Sequence, residues 1–413
     1  MSVIMYSVQG VGNDLNSGST TGSVPKVSGT GAATASGVTV DLSVDSPNLS
    51  TVVSGDTIRL NGRSDGKNSS NRSDIFEITA VDDGADTVDV TPNVDSITSG
   101  VTWAIGGAFA TLDRLVTTAS KGDLLYAKGT YDVTLDMVNA TENALVNQGT
   151  RLVGYETTPG DSGLVTLDSN YTKSNACVLG WNAYWSFENI RLTRYTGQGF
   201  RDVFASTPLI FIHCEVDHIN GTVAFGTRKD TLVIDCYAHD NASDGFSSQE
   251  SCYILNCVSV NNGGHGFYSN GCNTYFGCIS VANAEYGFYQ DDDGNHKGHE
   301  LFHCLVDGSG ITKRGFSFVD DANSRQAIIQ NNIVFDCASG IVCNTPVGKF
   351  ALGEHNLVAD CPVPHVNFIE RQGFVSGTPT FLDRANLDYR PASGAPQIGV
   401  GNDMNYSSWL PLP

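Results

Sequence analysis

The sequence predicts an all-β fold, a solenoid of stacked parallel coils, and three observations predict it. One position recurs down the chain as Asn189, Cys214, Cys236, Cys257, Cys278, Cys304, Asn332 and Asn356, at spacings of 25, 22, 21, 21, 26, 28 and 24 residues. A second ladder follows inside each repeat: Gly245-Phe246, Gly266-Phe267, Gly287-Phe288, Gly315-Phe316 and Gly340-Ile341. Third, apolar residues alternate around both ladders with the period of two that strands require, and runs such as Asn261-Asn262-Gly263-Gly264 supply turns between them. Self-similarity at this period means stacked units, none of which can bury its apolar face alone. Three short strands per coil give a parallel β-helix. A leucine-rich solenoid has a similar period, but its Leu-x-x-Leu-x-Leu signature is missing.

Composition narrows the partners. The 413 residues carry 44 acidic and 23 basic side chains, a net charge of −21. Nucleic acid is excluded as an expected partner, because phosphate neutralisation needs Lys and Arg. The same balance weighs against a strongly polyanionic glycan, unless a local basic groove overrides it, and suits a particle kept dispersed by like charge. No apolar run is long enough for a membrane-spanning helix, so membrane insertion is not expected. Met1-Ser2-Val3-Ile4-Met5-Tyr6 has neither a basic start nor a long apolar stretch, so it does not read as a secretory signal.

The eleven cysteines point to neither disulfides nor zinc. Five of them share one apolar-flanked position that Asn also takes, which reads as a packing or hydrogen-bonding slot. No Cys-x-x-Cys pair is present. Reduced, buried thiols are expected, consistent with assembly in a reducing cytoplasm.

The chain resembles the right-handed parallel β-helix (pectate-lyase-like) superfamily, closest in character to phage tailspikes and other β-helical virion proteins. The resemblance rests on Gly12-Asn13-Asp14-Leu15-Asn16-Ser17-Gly18, on Phe109-Ala110-Thr111-Leu112-Asp113, and on Gly122-Asp123 through Gly129-Thr130-Tyr131. At the far end it rests on Phe381-Leu382-Asp383, Asp388-Tyr389-Arg390-Pro391 and Ala395-Pro396-Gln397-Ile398-Gly399. It implies a homotrimer, a virion or extracellular-surface location, and glycans or other virion proteins as partners.

In that family the Gly-Asn-Asp phrase and the Ala-Thr-Leu helix are near neighbours. Here a long segment separates them, with strand-like runs at Gly37–Leu42, Asp56–Leu60, Ile75–Val81 and Thr87–Val90. The expected organisation is a cap segment over 1–18, an inserted small β domain over 19–105, the β-helix over 106–361 with a capping helix at 109–119, and a C-terminal coil and cap over 362–413. The insert serves either oligomerisation, docking or glycan contact, or simply shields the first coil from edge pairing.

Chemistry is expected where a turn grows out of the stack. The coil after Cys278 is longer than its predecessor and carries Asp291, Asp292, Asp293, Asn295, His296 and Lys297. Asp291, Asp292, Asp293 and Asn295 are oxygen donors suited to Ca²⁺, the candidate cofactor, although the EF-hand spacing is absent. His296 or Lys297 is the candidate base, with Glu250 and the three Asp as candidate catalytic carboxylates. The ordinary alternative is a solvated acidic loop. Arg228, Lys229, Tyr268, Tyr289 and Arg325 are candidate substrate-binding residues, the Tyr because each lies one step out of phase with a core Phe. His213, Asp217, His218, His239 and Asp240 read as ordinary solvent-facing strand and turn residues, since no nucleophile motif accompanies them.

Two function classes follow. One is a virion or surface-appendage protein that binds glycans. The other is a polysaccharide lyase or glycoside hydrolase acting in a cleft along the stack, with two carboxylates or a base beside Ca²⁺. A purely structural virion role is the third possibility, and fold alone does not choose among them.

Overall fold

The computed structural model describes residues 4–8, 26–29, 34–54, 56–61, 75–97, 101–106, 108, 111–112, 115–116, 119, 122–137, 149–179, 185–202, 208–291, 299–319, 327–344, 351–372, 375 and 377–397. The chain is a right-handed parallel β-helix of about eight turns, as the ladders predict. It divides into two compact units. One comprises Met1–Leu135, Ala140–Asp168 and Tyr184–Ile190, and the other Asp136–Asn139, Ser169–Ala183 and Arg191–Pro413.

The first unit holds an antiparallel six-stranded sheet in the order Val27–Gly29, Thr102–Ile105, Thr57–Asn61, Ile75–Asp82, Thr87–Ile97 and Thr34–Asp41. Its core is separate and mostly aliphatic, built on Val40, Ile58, Leu60, Ile78 and Val88 with Phe76 and Trp103 among them. Trp103 donates its indole N–H to Asp45 at 2.9 Å, and Lys26 meets Asp56 at 2.8 Å. On either side of these strands in sequence, Ile4–Val8 and Leu124–Lys128 pair in parallel, and Thr150–Gly154 continues the ladder to Trp185–Glu188. Part of the helix expected over 109–119 lies outside the described residues. Within it, Leu115 donates to the Thr111 carbonyl at 3.3 Å and Ala119 to that of Leu115 at 3.2 Å.

The second unit stacks three parallel sheets. A representative coil runs Tyr253–Leu255, Val258–Val260 and Phe267–Ser269, and each strand pairs in register with its counterpart one coil later: Thr274–Phe276, Ile279–Val281 and Tyr286–Gln290. These are called the first, second and third strand of a coil, and they build the first, second and third sheet.

The recurrent Cys/Asn position is a hydrogen-bonding slot inside the stack. Asn332 donates its side-chain amide to the Leu301 carbonyl of the preceding coil at 3.0 Å, and Asn356 does the same to Ile329 at 2.9 Å. Cys257, Cys278 and Cys304 point their thiols at the equivalent carbonyls of Val233, Ile254 and Tyr275 at 3.6, 3.2 and 3.7 Å. Cys therefore replaces Asn with a weaker donor and a more apolar body. Asn189 does not belong to this row. Its φ of 58° is the left-handed corner conformation that His213, Asp235 and Asn256 adopt just before the slot, so the slot in its coil falls to Ile190. Asn suits both positions, which is why the sequence pattern is one residue out there.

A second interior ladder stands between the second and third strands. The Asn262 side-chain amide donates to Ala238 O and Asn283 Oδ1 at 3.1 and 2.9 Å, has Ser259 Oγ at 3.0 Å, and accepts from Asn241. Opposite it runs the Phe row, with ring centroids 4.8 Å (Phe225–Phe246), 4.9 Å (Phe246–Phe267) and 4.5 Å (Phe267–Phe288) apart. The glycine before each Phe is required by space: a Cβ on Gly266 would lie 2.4 Å from Ser280 Oγ.

The hairpin of Phe381–Asp383 and Asp388–Pro391 packs on the outer face of the second sheet, where Phe381 and Tyr389 meet Leu305, Ile333 and Phe335. Buried Asp307 fixes it, accepting from Arg384 Nε at 2.6 Å and from the Tyr389 hydroxyl at 2.7 Å.

Asn262→Ala strands several buried donors and acceptors at once. The expected loss is about 2–4 kcal/mol, read as a lower urea midpoint; no change would show that the polar ladder is dispensable.

Candidate functional site

The Gly-Phe pattern sets what the third sheet shows outside. With Gly and Phe both turned inward, the residue before Gly and the residue after Phe face out, as the accessibility of Tyr286–Gln290 records. Along successive coils the first row is Asp244, His265, Tyr286 and Arg314, and the second is Ser247, Tyr268, Tyr289 and Ser317. All are partly exposed apart from buried Ser317.

The two rows merge into one aromatic patch. The His265 ring lies 4.6 Å from Tyr289, 5.0 Å from Tyr286 and 5.9 Å from Tyr268. Tyr286 and Tyr289 are 5.1 Å apart, and the Arg314 guanidinium sits 5.2 Å over the Tyr286 ring. Carboxylates border the rings. Tyr268 donates to Asp291 Oδ2 at 3.1 Å, His265 N–H donates to Asp244 Oδ1 at 2.7 Å, and Glu285 holds Lys313 at 2.6 Å.

Packing against these rings alters the titratable groups. Burial pushes the His265 imidazole down to about 4, and its Nδ1 finds no hydrogen-bond partner among the described residues. Burial, with repulsion from Glu285, pushes the Asp244 carboxyl up to about 6 against the opposing backbone bond from His265. Burial and the Asp291 charge raise the hydroxyls of Tyr268 and Tyr289, so both remain hydrogen-bond donors at neutral pH.

The sequence-predicted residues fall in three places. Tyr268, Tyr289 and Asp291 meet in the patch. Lys229 and Glu250 pair with each other across adjacent coils at 2.5 Å, and the bond that Lys229 donates to the Glu250 carboxylate favours its protonated form. Arg228 precedes this pair, partly exposed. Asp292, Asp293, Asn295, His296, Lys297 and Arg325 lie outside the described residues. The pattern overlooked Asp244, His265, Tyr286 and Arg314, although the residue before each ladder glycine was the available signal.

The reading of Asp217 and His239 as ordinary solvent-facing residues is corrected. Asp217 is fully buried and accepts from Arg191 at 2.8 Å and Thr193 at 2.5 Å. Burial opposes its charge, but these bonds and His218 outweigh that and hold its carboxyl below the usual range. His239 bridges Asp240 at 2.7 Å and Glu215 at 3.3 Å. Ligand atoms of Glu215, Asp217 and His239 all lie within 4.8 Å of one another, a spacing compatible with a metal ion. Arg191 Nε, however, stands 3.1 Å from Glu215 and 2.8 Å from Asp217, so a guanidinium already answers this charge. The pattern missed the network because its centre, Arg191, comes from the preceding coil.

No protein-family model matches the chain, and no curated protein matches it in sequence. Among solved structures it is similar to the pectate lyase Pel9A, at 14% identity and a TM-score of 0.46 over 70% of this chain and 85% of that one. The catalytic domain of a GH87 alpha-1,3-glucanase gives 9% identity and 0.45 over 85% and 78%. The ORF18 protein of Geobacillus virus E2 gives 12% and 0.35 over 65% and 59%. Likeness at this level carries no argument about activity, and the fold stands on its own strand pairings.

The Asp244 and His265 shifts have opposite consequences for stability. Folded Asp244 keeps its proton to about pH 6, whereas unfolded Asp loses it near 3.8, so its contribution is full at low pH and is lost as pH rises through 6. Folded His265 stays neutral down to about pH 4, whereas the unfolded group protonates near 6.5, so its contribution is full above 6.5 and is lost as pH falls through 4. Between these limits the two slopes oppose. Asp244→Asn, which keeps the acceptor oxygen, should leave a stability that rises with pH by up to about 1.4 kcal/mol per unit. His265→Gln should leave one that falls. Parallel urea-midpoint profiles for both variants would show that neither group is shifted.

Proposed function

We propose that this is a glycan-binding β-helix protein, of the virion or surface-appendage kind, and that its binding face is the third-sheet patch. The observation that carries the reading is the convergence of Tyr268, Tyr286, Tyr289, His265 and Arg314 on the outside of a rigid sheet. Sugar rings present apolar C–H faces that pack on aromatic rings, and hydroxyls that bond to neighbouring polar groups. Here the rings supply the first need, while Asp291, Asp244 and Arg314 supply the second. Because the backbone is a stacked sheet, the rings are held in place before ligand arrives, which limits the ordering cost of binding. The mixed charge around the rings suits a neutral or weakly acidic glycan better than a polyanion.

Glycan cleavage, by a lyase or hydrolase, is the second reading. What favours it is Asp244, a carboxyl at about 6 that can carry a proton near neutral pH, as a general acid requires. Asp291, with Asp292, Asp293 and Asn295, is the proposed Ca²⁺ donor set, and His296 or Lys297 the proposed base on the same loop.

The test is a panel of neutral and acidic polysaccharides, with and without Ca²⁺, scored for binding and for chain shortening. Tyr268→Ala and Tyr289→Ala should each weaken capture of any bound glycan about tenfold, the loss of one ring contact of about 1.4 kcal/mol. Tyr253→Ala, on the exposed first sheet, should leave it unchanged. Equal loss from all three, or from none, would place binding elsewhere. Shortening abolished by Asp244→Asn with capture retained would make the protein an enzyme. Light scattering on the same preparation tests the proposed trimer.

A further inference from the structure

None of the eleven cysteines is joined in a disulfide, and nine are buried. The members at 214, 236, 257, 278 and 304 line the interior slot and are at most 1% exposed. Cys337 and Cys361 belong to a different corner. Cys337 follows the strand Ile333–Phe335 by two residues, and Cys361 follows Leu357–Ala359 by two. Those strands pair in register, Phe335 opposite Ala359, and Asp336 N–H bonds to the Ala359 carbonyl at 3.3 Å beyond them. The register therefore sets Cys361 beside Cys337 on the next coil, and each thiol donates to the carbonyl two residues before it, Cys337 to Phe335 at 3.4 Å and Cys361 to Ala359 at 3.2 Å. On its other side Cys337 is confined: a Cβ on Gly308 would come 2.8 Å from its sulfur.

Neighbouring strands lie about 4.8 Å apart, inside the Cα separation of about 4.4–6.8 Å that a disulfide spans. The slot cysteines share that spacing, so distance does not single out this pair. Access does. Cys361 is partly exposed, while Cys337, its neighbour on the coil before, is 2% exposed.

We propose that Cys337 and Cys361 form a peroxide-oxidisable pair, with Cys361 the attacking thiol and Cys337 the resolving one. The Cys361 thiolate attacks one oxygen of hydrogen peroxide and the O–O bond breaks. Hydroxide leaves and takes a proton, giving a sulfenic acid and water. The Cys337 sulfur then attacks the Cys361 sulfur, the S–O bond breaks, and hydroxyl leaves with the Cys337 proton as a second water. Two thiols lose two hydrogens, peroxide gains two electrons, and the product is one disulfide joining consecutive coils. The division of roles has a second support. Its neighbour Cys337 holds the Cys361 thiol below the usual range despite burial, whereas Cys361 and burial together push the Cys337 thiol above it. Of the pair, only Cys361 combines a lowered thiol with access, the two conditions for attack.

The experiment treats the folded full chain with hydrogen peroxide, blocks remaining thiols, and maps peptides by mass. A Cys337–Cys361 linked peptide, two hydrogens lighter than its parts, should appear at least about tenfold faster than oxidation of Cys272, the other partly exposed cysteine. Cys337→Ser should leave Cys361 as a sulfenic acid trapped by dimedone. Cys361→Ser should leave Cys337 unmodified. Each variant is first checked for a native β spectrum, and if either fails to fold, the wild-type map decides alone. A Cys361 sulfenic acid that persists in wild type without linkage overturns the proposal. So does oxidation of Cys272 or of the slot cysteines ahead of Cys361.

Discussion

The structure depends on one repeated contact: a side chain in the interior slot reaching back to the main chain of the coil before it. Parallel strands satisfy their own N–H and C=O groups through the ladder, but the corners between strands leave N–H groups facing inward. A buried N–H without a partner is costly. Asn332 accepts from Cys304 N–H at 2.7 Å and Asn356 from Asn332 N–H at 3.1 Å, while their amides, and the thiols of Cys257, Cys278 and Cys304, reach back to strand carbonyls. At the next corner Asn241, Asn262 and Asn283 do so again and bond to one another as well. These contacts also fix the register. A slip by one residue would turn every slot residue outward and every outer residue inward.

That division of labour shapes the rest of the molecule. Inward positions are nearly invariant in kind from coil to coil: Phe above Phe, Asn above Asn, Cys above Cys. Outward positions are free to differ, and they do. The second sheet carries the Arg191–Glu215–Asp217–His239 network on early coils and an apolar surface under the Phe381–Pro391 hairpin on later ones. The third sheet carries the aromatic patch. A rigid interior thus presents chemically distinct faces without any change of backbone.

The legibility of the sequence follows the same division. Inward residues repeat, so the Phe row, the Cys slot and the coil length could be read from spacing alone. Outward residues do not repeat. Tyr268 and Tyr289 were visible only because they sit next to a repeating Phe. Asp244, His265, Tyr286 and Arg314 share a row yet have four different side chains, so only their common place before a ladder glycine groups them. Asp217 looked like a surface carboxylate because Arg191, which buries its charge, is one coil away. Asn189 was misplaced by one residue because the left-handed corner and the slot both accept Asn. Contacts between coils decide these cases, and they become available only once the coils are stacked.

Coil length tolerates variation that the ladder does not. The chain between Gln290 and Glu300 is longer than its counterpart one coil earlier, yet Phe276 still opposes Phe302 and Phe288 still opposes Phe316. Each corner therefore behaves as a separate insertion point, whose contents the stack neither reads nor resists. For a protein under pressure to change what it recognises, this means novelty can be added at a corner while folding continues to be governed by residues that never meet the ligand.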